Sequence, residues 1–82
     1  MKTLTYTILI HRADTDETGF WVEVPALPGC FTQGETVEEC IERAQEAIGG
    51  YLESLVKHGE SVPEERAQEI MSRVQVISPV PA

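Results

Sequence analysis

Few residues of this 82-residue chain have side chains suited to catalysis, and their positions argue against an active site. The two histidines, His11 and His58, fall near the predicted end of a strand and at the predicted end of a helix. A charged histidine at the carboxyl end of a helix is stabilised by the helix dipole, which is a structural role. We therefore interpret both as structural or surface residues and predict no catalytic residue.

Carboxylates are the second group to consider, because carboxylates on rigid strands can hold the two metal ions of a hydrolase. The predicted first strand, residues 3–11, has no Asp or Glu, and neither has the predicted last strand, residues 73–77. Asp14, Asp16 and Glu17 cluster in a predicted hairpin loop without the spacing of a calcium-binding loop. The sequence thus predicts no metal ion, no cofactor and no enzymatic activity.

The amino terminus and the cysteines both favour a cytoplasmic protein. The chain begins without the apolar segment and cleavage site of a secretion signal, and no 18 consecutive residues are apolar. Cys30 and Cys40 are too few for a disulfide framework, and their spacing fits no zinc site. We expect both to be small buried thiols in a reducing compartment, and we expect no membrane segment.

The charge of the chain bears on its partners. Fourteen acidic and six basic residues give a net charge of −8. Nucleic-acid binding requires a basic patch, so we expect no direct contact with nucleic acid. An acidic protein can attract a basic partner, but many small soluble proteins are acidic, and charge alone leaves both interpretations open.

Alternating apolar residues predict an antiparallel meander of three strands. Residues 3–11 and 20–24 alternate and contain many β-branched or aromatic side chains, and the polar residues 12–19 between them form a hairpin loop. Pro25 ends the second strand because proline has no N–H for a strand ladder. A tight turn then leads to a short third strand at residues 30–34.

A long amphipathic helix is predicted over about residues 37–57. Thr36 is a good N-cap, and Glu39 three positions later completes a capping box. Gly49 and Gly50 conflict with this helix, since each is about 1 kcal/mol less favourable than alanine. The apolar residues recur at helical spacing at Val37, Cys40, Ile41, Ala44, Ile48, Tyr51, Leu52 and Leu55.

The remaining residues predict a short helix, from Ser61 or Pro63 through Met71, and a final strand at residues 73–77. The fold class is therefore α+β, with an antiparallel β-β-β meander, a long helix and a final β-strand. We expect one domain over residues 1–82 with its core at about 3–77. A domain this small has a thin core and sheet edges, which favours a homo-oligomer.

Two surfaces are candidates for a protein partner. Trp21 faces away from the apolar side of its strand. It either covers the other side of the sheet, packs under the carboxyl-terminal tail, or anchors a protein–protein contact. Glu38, Glu42 and Glu46 form an acidic helix side, which either contacts a basic partner or is only solvated.

The stretch VPALPGCFTQGETVEE, residues 24–39, resembles the HicB-like antitoxin family. The similarity covers about residues 4–63, and Cys40 stands where that family usually has alanine. The matching positions are Pro25, Leu27, Pro28, Gly29, Cys30, Gly34, Thr36, Glu39, Ala44 and Ala47.

The resemblance implies a partial RNase H-like fold without nuclease carboxylates, in which the motif builds a scaffold. It also implies a type II antitoxin whose partner is a small basic RNA-cleaving toxin. Many members have a further DNA-binding domain, but residues 64–82 are too short for a helix-turn-helix, so we expect no separate DNA-binding domain. The alternative is a stand-alone homo-oligomeric interaction or scaffold module without a toxin.

Overall fold

The computed structural model describes residues 2–13, 18–65 and 70–81. Its three strands form one antiparallel sheet in the order β1-β2-β3, and one long helix follows. The α+β class, the meander and the long helix are therefore confirmed. The elements are β1 at Leu9–Arg12, β2 at Phe20–Glu23, β3 at Phe31–Gly34 and α1 at Val37–Lys57.

Strand β1 is shorter than the predicted strand at residues 3–11. Leu9 pairs with Glu23, and the same antiparallel register would place Thr7 opposite Pro25. Proline cannot donate to the ladder, and the chain turns directly after it, so the residues before Leu9 have no strand to pair with.

The turn between β2 and β3 contributes a core side chain. The Leu27 amide donates to the Val24 carbonyl at 2.9 Å, and the Cys30 amide donates to the Leu27 carbonyl at 3.0 Å. Gly29 has a φ of 81°, which is favourable for glycine. These contacts turn Leu27 inward, where its exposed fraction is 0%.

Helix α1 begins and ends as predicted. Thr36 is the N-cap, and its hydroxyl accepts from the Glu39 amide at 3.0 Å. The Glu39 carboxylate in turn accepts from the amide of Glu35 at 2.9 Å, which satisfies a second amide at the helix start. At the other end His58 is the C-cap, and Gly59 follows with a φ of 74°.

The core lies between one face of the sheet and α1. One cluster of buried residues joins Val22 to Cys40 and Ala44 of the helix. A second cluster joins the turn residue Leu27 to Cys30 and to Val24, which follows β2. Both cysteines are buried free thiols, as expected, and burial raises the pKa of Cys30.

The segment after the helix returns to the amino terminus. The Glu65 carboxylate accepts from the Thr7 amide at 2.8 Å and from the Thr7 hydroxyl at 2.5 Å. The Tyr6 hydroxyl donates to the Pro63 carbonyl, and burial together with nearby carboxylates raises the pKa of Tyr6. The two hydrogen bonds from Thr7 lower the pKa of Glu65. Together with the Tyr6 bond they hold residues 63–65 beside residues 2–7.

The predicted final strand at residues 73–77 is wrong. Residues 70–81 form neither strand nor helix, and their side chains are exposed. Alternation shows that a segment can form a strand, but a strand also requires a neighbour, and this segment pairs with no strand among the described residues of its own chain. The predicted short helix is absent from residues 61–65 and 70–71, and its middle lies outside the described residues.

Candidate functional site

The sheet has one covered face and one open face. Helix α1 packs on the face that carries Val22, and successive side chains of a strand point to opposite faces. Trp21 therefore points away from the helix, and the strand register places His11 and Gln33 on either side of it. We call this surface the aromatic face; its residues are Leu9, His11, Trp21, Glu23, Phe31 and Gln33.

Two aromatic residues of this face are open to solvent. Trp21 is 41% exposed and Phe31 is 59% exposed, and their ring centroids lie 6.3 Å apart. Large aromatic side chains on a rigid sheet supply contact area at low entropic cost, and tryptophan is enriched at the centres of protein interfaces. The aromatic face therefore has the chemistry of a protein-binding surface.

His11 fixes the position of the tryptophan. Its ring stacks on the Trp21 ring with a centroid distance of 4.1 Å and an interplanar angle of 17°. Its Nε2 atom lies 2.8 Å from a carboxylate oxygen of Glu23, and this hydrogen bond fixes the orientation of the imidazole ring. The structure thus places His11 in a surface cluster, in agreement with a structural or surface role.

Sequence reasoning found Trp21 but missed the two residues that complete its surface. His11 was interpreted as a structural or surface residue without a link to Trp21, and Phe31 was considered only as part of a short strand. The alternating pattern of the predicted strands could have identified both residues, because side chains on the same face of paired antiparallel strands become neighbours.

The acidic helix side lies on the other side of the domain. Glu38, Glu42 and Glu46 are exposed and spaced four residues apart, so they share one side of α1. Cys40 and Ala44 of the same helix face the sheet. The structure therefore does not bring these glutamates together with Trp21, because the helix and the sheet lie between them.

The motif residues build the fold around these surfaces. A Cβ atom added at Gly34 would lie 3.1 Å from the Cys40 amide nitrogen, so glycine allows β3 to run close to the helix start. Tyr51 of the helix donates to the Pro28 carbonyl at 2.8 Å and so fastens the turn to α1. Neither these residues nor the buried Leu27 belongs to the aromatic face.

Two further features concern metal ions and membranes. In the part of the chain that the structure describes, no three His, Cys, Asp or Glu side chains are grouped so that they could hold a metal ion. Over the same residues, no helix has both the length and the apolar character needed to span a bilayer.

Comparison with known proteins relates this fold to a family. The family described as "HicB_like antitoxin of bacterial toxin-antitoxin system" matches residues 6–76. The chain belongs to the HicB-like antitoxin family. The matched range includes the whole sheet, the helix and the aromatic face of this HicB-like domain.

Related proteins and a solved structure support this assignment. A UPF0150 protein of Thermoplasma acidophilum is 50% identical over 68 residues, which cover 82% of this chain and 94% of the relative. A UPF0150 protein of Synechocystis is 33% identical over 75 residues, which cover 92% and 97%. The crystal structure of the N-terminal domain of the Burkholderia pseudomallei antitoxin HicB is 34% identical, with a TM-score of 0.61. That match covers 74% of this chain and 69% of the other.

Proposed function

We propose that this chain is a cytoplasmic antitoxin that binds and neutralises a small basic RNA-cleaving toxin. The observation that carries the proposal is the HicB-like match over residues 6–76, supported by the similarity to a domain of an antitoxin. The domain acts by binding and not by catalysis. In this proposal it is a partial RNase H-like scaffold, and its strand β1, Leu9–Arg12, carries no carboxylate.

The aromatic face is the anchor for the toxin in this proposal. Trp21 and Phe31 offer exposed apolar area, while His11 and Glu23 at its side supply polar contacts. Interfaces commonly combine an aromatic centre with a polar rim, and a few central residues contribute most of the affinity. Truncation of Trp21 should therefore weaken binding far more than truncation of an exposed apolar residue elsewhere.

The acidic helix side has a different role, because it lies on the opposite surface. A net charge of −8 attracts a basic protein from a distance, and exposed charges act mainly on the rate of association. Glu38, Glu42 and Glu46 add to this field without entering the proposed contact. The same charge disfavours direct binding to nucleic acid.

The test is co-expression with a small basic protein encoded beside this chain. The antitoxin function predicts that the two proteins co-elute on sizing chromatography and that the chain inhibits RNA cleavage by its partner. Trp21→Ala should raise Kd about 30-fold or more, as expected for a loss of about 2 kcal/mol at a central aromatic residue. Val56→Ala, which truncates an exposed apolar residue of α1, is the matched control and should leave Kd unchanged.

The glutamates are tested separately through kinetics. Replacing Glu38, Glu42 and Glu46 together by alanine should slow association and reduce its salt dependence, while dissociation stays unchanged. Faster dissociation in this triple variant would place the toxin on the helix and not on the aromatic face.

A stand-alone homo-oligomeric module is the second candidate function. The observation in its favour is the exposed apolar segment at residues 70–81. A partner is needed to bury this segment, but a second copy could do so as well as a toxin. No co-elution and no inhibition of RNA cleavage would overturn the antitoxin proposal and leave this one.

A further inference from the structure

Strand β1 has an unpaired edge. In the described part of the chain β1 pairs with β2 and with no other strand. The Ala13 amide, just after β1, donates to the Gly19 carbonyl at 3.1 Å. Because backbone groups point alternately to the two sides of a strand, those of His11 also face β2, and those of Ile10 and Arg12 face away. These outward groups are available to a further strand.

An apolar groove lies next to this edge. It has a volume of about 470 Å³ and runs between residues 2–8 and one side of α1. Its apolar lining comes from Leu4, Tyr6, Ile8, Ile41, Ile48 and Leu52. A strand added at the edge of β1 would direct alternate side chains toward the helix, into this groove.

The same chain carries a segment of matching chemistry. Ile70, Met71, Val74, Val76, Ile77 and Val80 are each between 71% and 97% exposed. Val74 and Val76 are two residues apart, with the polar residues Arg73 and Gln75 before each of them, so in a strand they would share one face. Pro79 follows one residue after this segment and would limit the strand to about five residues.

We propose that residues 73–77 of one copy form a fourth strand at the β1 edge of a second copy. Val74 and Val76 enter the groove of that copy, and the backbone bonds to the outward groups of Ile10 and Arg12. The exchange is reciprocal, so a two-fold dimer covers Val74 and Val76 of both copies and both open edges. This inference does not depend on the toxin, because it concerns the chain alone.

One observation favours a second copy over the segment's own groove. The hydrogen bond between Glu65 and Thr7 fixes the segment that ends at residue 65 beside the amino terminus. The side chains of residues 70–81 are nevertheless exposed and do not enter the groove of their own chain. The charge of the segment is also compatible with docking on a second copy. Residues 70–81 carry one charge, the positive Arg73, whereas the whole chain has a net charge of −8. This segment is therefore one that a second acidic copy does not repel.

Light scattering after sizing chromatography tests the proposal. The full chain should have twice its monomer mass of 9.1 kDa. Val76→Asp places a charge in the groove and should raise the dimer dissociation constant about 100-fold or more, giving the monomer mass. Gln75→Asp, which adds the same charge one residue earlier on the outer side of the strand, is the matched control and should remain dimeric. Circular dichroism should show unchanged helix in both variants, since neither residue lies in the core.

Amide hydrogen exchange identifies the edge. The Ile10 amide should exchange slowly in the dimer and quickly after dilution to monomer or in Val76→Asp. Slow exchange that is independent of concentration would show that the segment pairs within its own chain, which would overturn the proposal. A full chain of monomer mass, or a Val76→Asp variant that remains dimeric, would overturn it as well.

Discussion

Replacing Leu27 by alanine tests whether the family motif acts through the fold. Leu27 is a turn residue, and turn side chains usually contribute little to stability because they are exposed. Here its exposed fraction is 0%, and it packs in a cluster with Val24 and Cys30. We expect Leu27→Ala to be among the most destabilising substitutions in the chain.

The size of the effect follows from this burial. Returning a leucine side chain to water costs about 1.5–3 kcal/mol. Hydrogen bonds from the amides of Leu27 and Cys30 hold the turn, so the cavity left by the substitution can collapse only in part. The total loss of unfolding free energy should therefore reach about 3–5 kcal/mol. A domain of 82 residues has a free energy of unfolding of roughly 4–12 kcal/mol. The variant should therefore lose a large part of its stability.

Urea unfolding, followed by circular dichroism of α1 at one fixed protein concentration, measures the loss. Val56→Ala removes an apolar side chain that is 65% exposed, and its unfolding free energy should change by less than about 0.5 kcal/mol. A loss below about 1 kcal/mol in Leu27→Ala would refute the reasoning, because it would mean that the turn is not part of a closed core. Folded Leu27→Ala protein should bind the proposed toxin like the parent chain.

Four further substitutions have effects whose direction follows from the structure. Gly34→Ala should reduce the unfolding free energy by about 1–3 kcal/mol in the same urea assay, because the new Cβ would press on the first turn of α1. Gly49→Ala and Gly50→Ala should each increase it by up to about 1 kcal/mol, since both sites are open and alanine favours a helix; a decrease would reveal an unseen contact. Hydrogen bonds from Thr7 lower the pKa of Glu65, so its stabilising effect is complete above the ordinary value of 4.5 and is lost as pH falls through the lowered pKa. Thermal unfolding between about pH 2 and pH 6 should therefore be less pH-dependent in Glu65→Gln, and equal slopes would contradict this assignment.

The sequence was most informative where local signals agreed. Helix α1 was predicted over 37–57 and found at Val37–Lys57, because the Thr36 cap and the apolar stripe indicate the same boundaries. The motif was predicted to be structural, but the complete burial of Leu27 could not be predicted from the sequence of the turn. Its burial depends on α1, which packs over the turn from more than ten residues further along the chain.

Predictions were less reliable for segments whose structure depends on pairing with another strand. The residues before Leu9 alternate like a strand, but the register sets them opposite a turn. Residues 73–77 alternate too, yet they pair with none of the three strands that the structure describes. The same limit explains the aromatic face, because His11 and Phe31 join Trp21 only through pairing across strands.

The order of the elements has a consequence for folding kinetics. Each strand pairs with the strand before or after it in the chain, and α1 follows β3 directly. Most loops between the paired elements are short, and proteins with many local contacts fold faster than proteins dominated by contacts distant in sequence. Exchange of residues 73–77 between copies would instead be a second-order reaction. Refolding should then show a fast unimolecular phase followed by a slower phase whose rate increases with protein concentration.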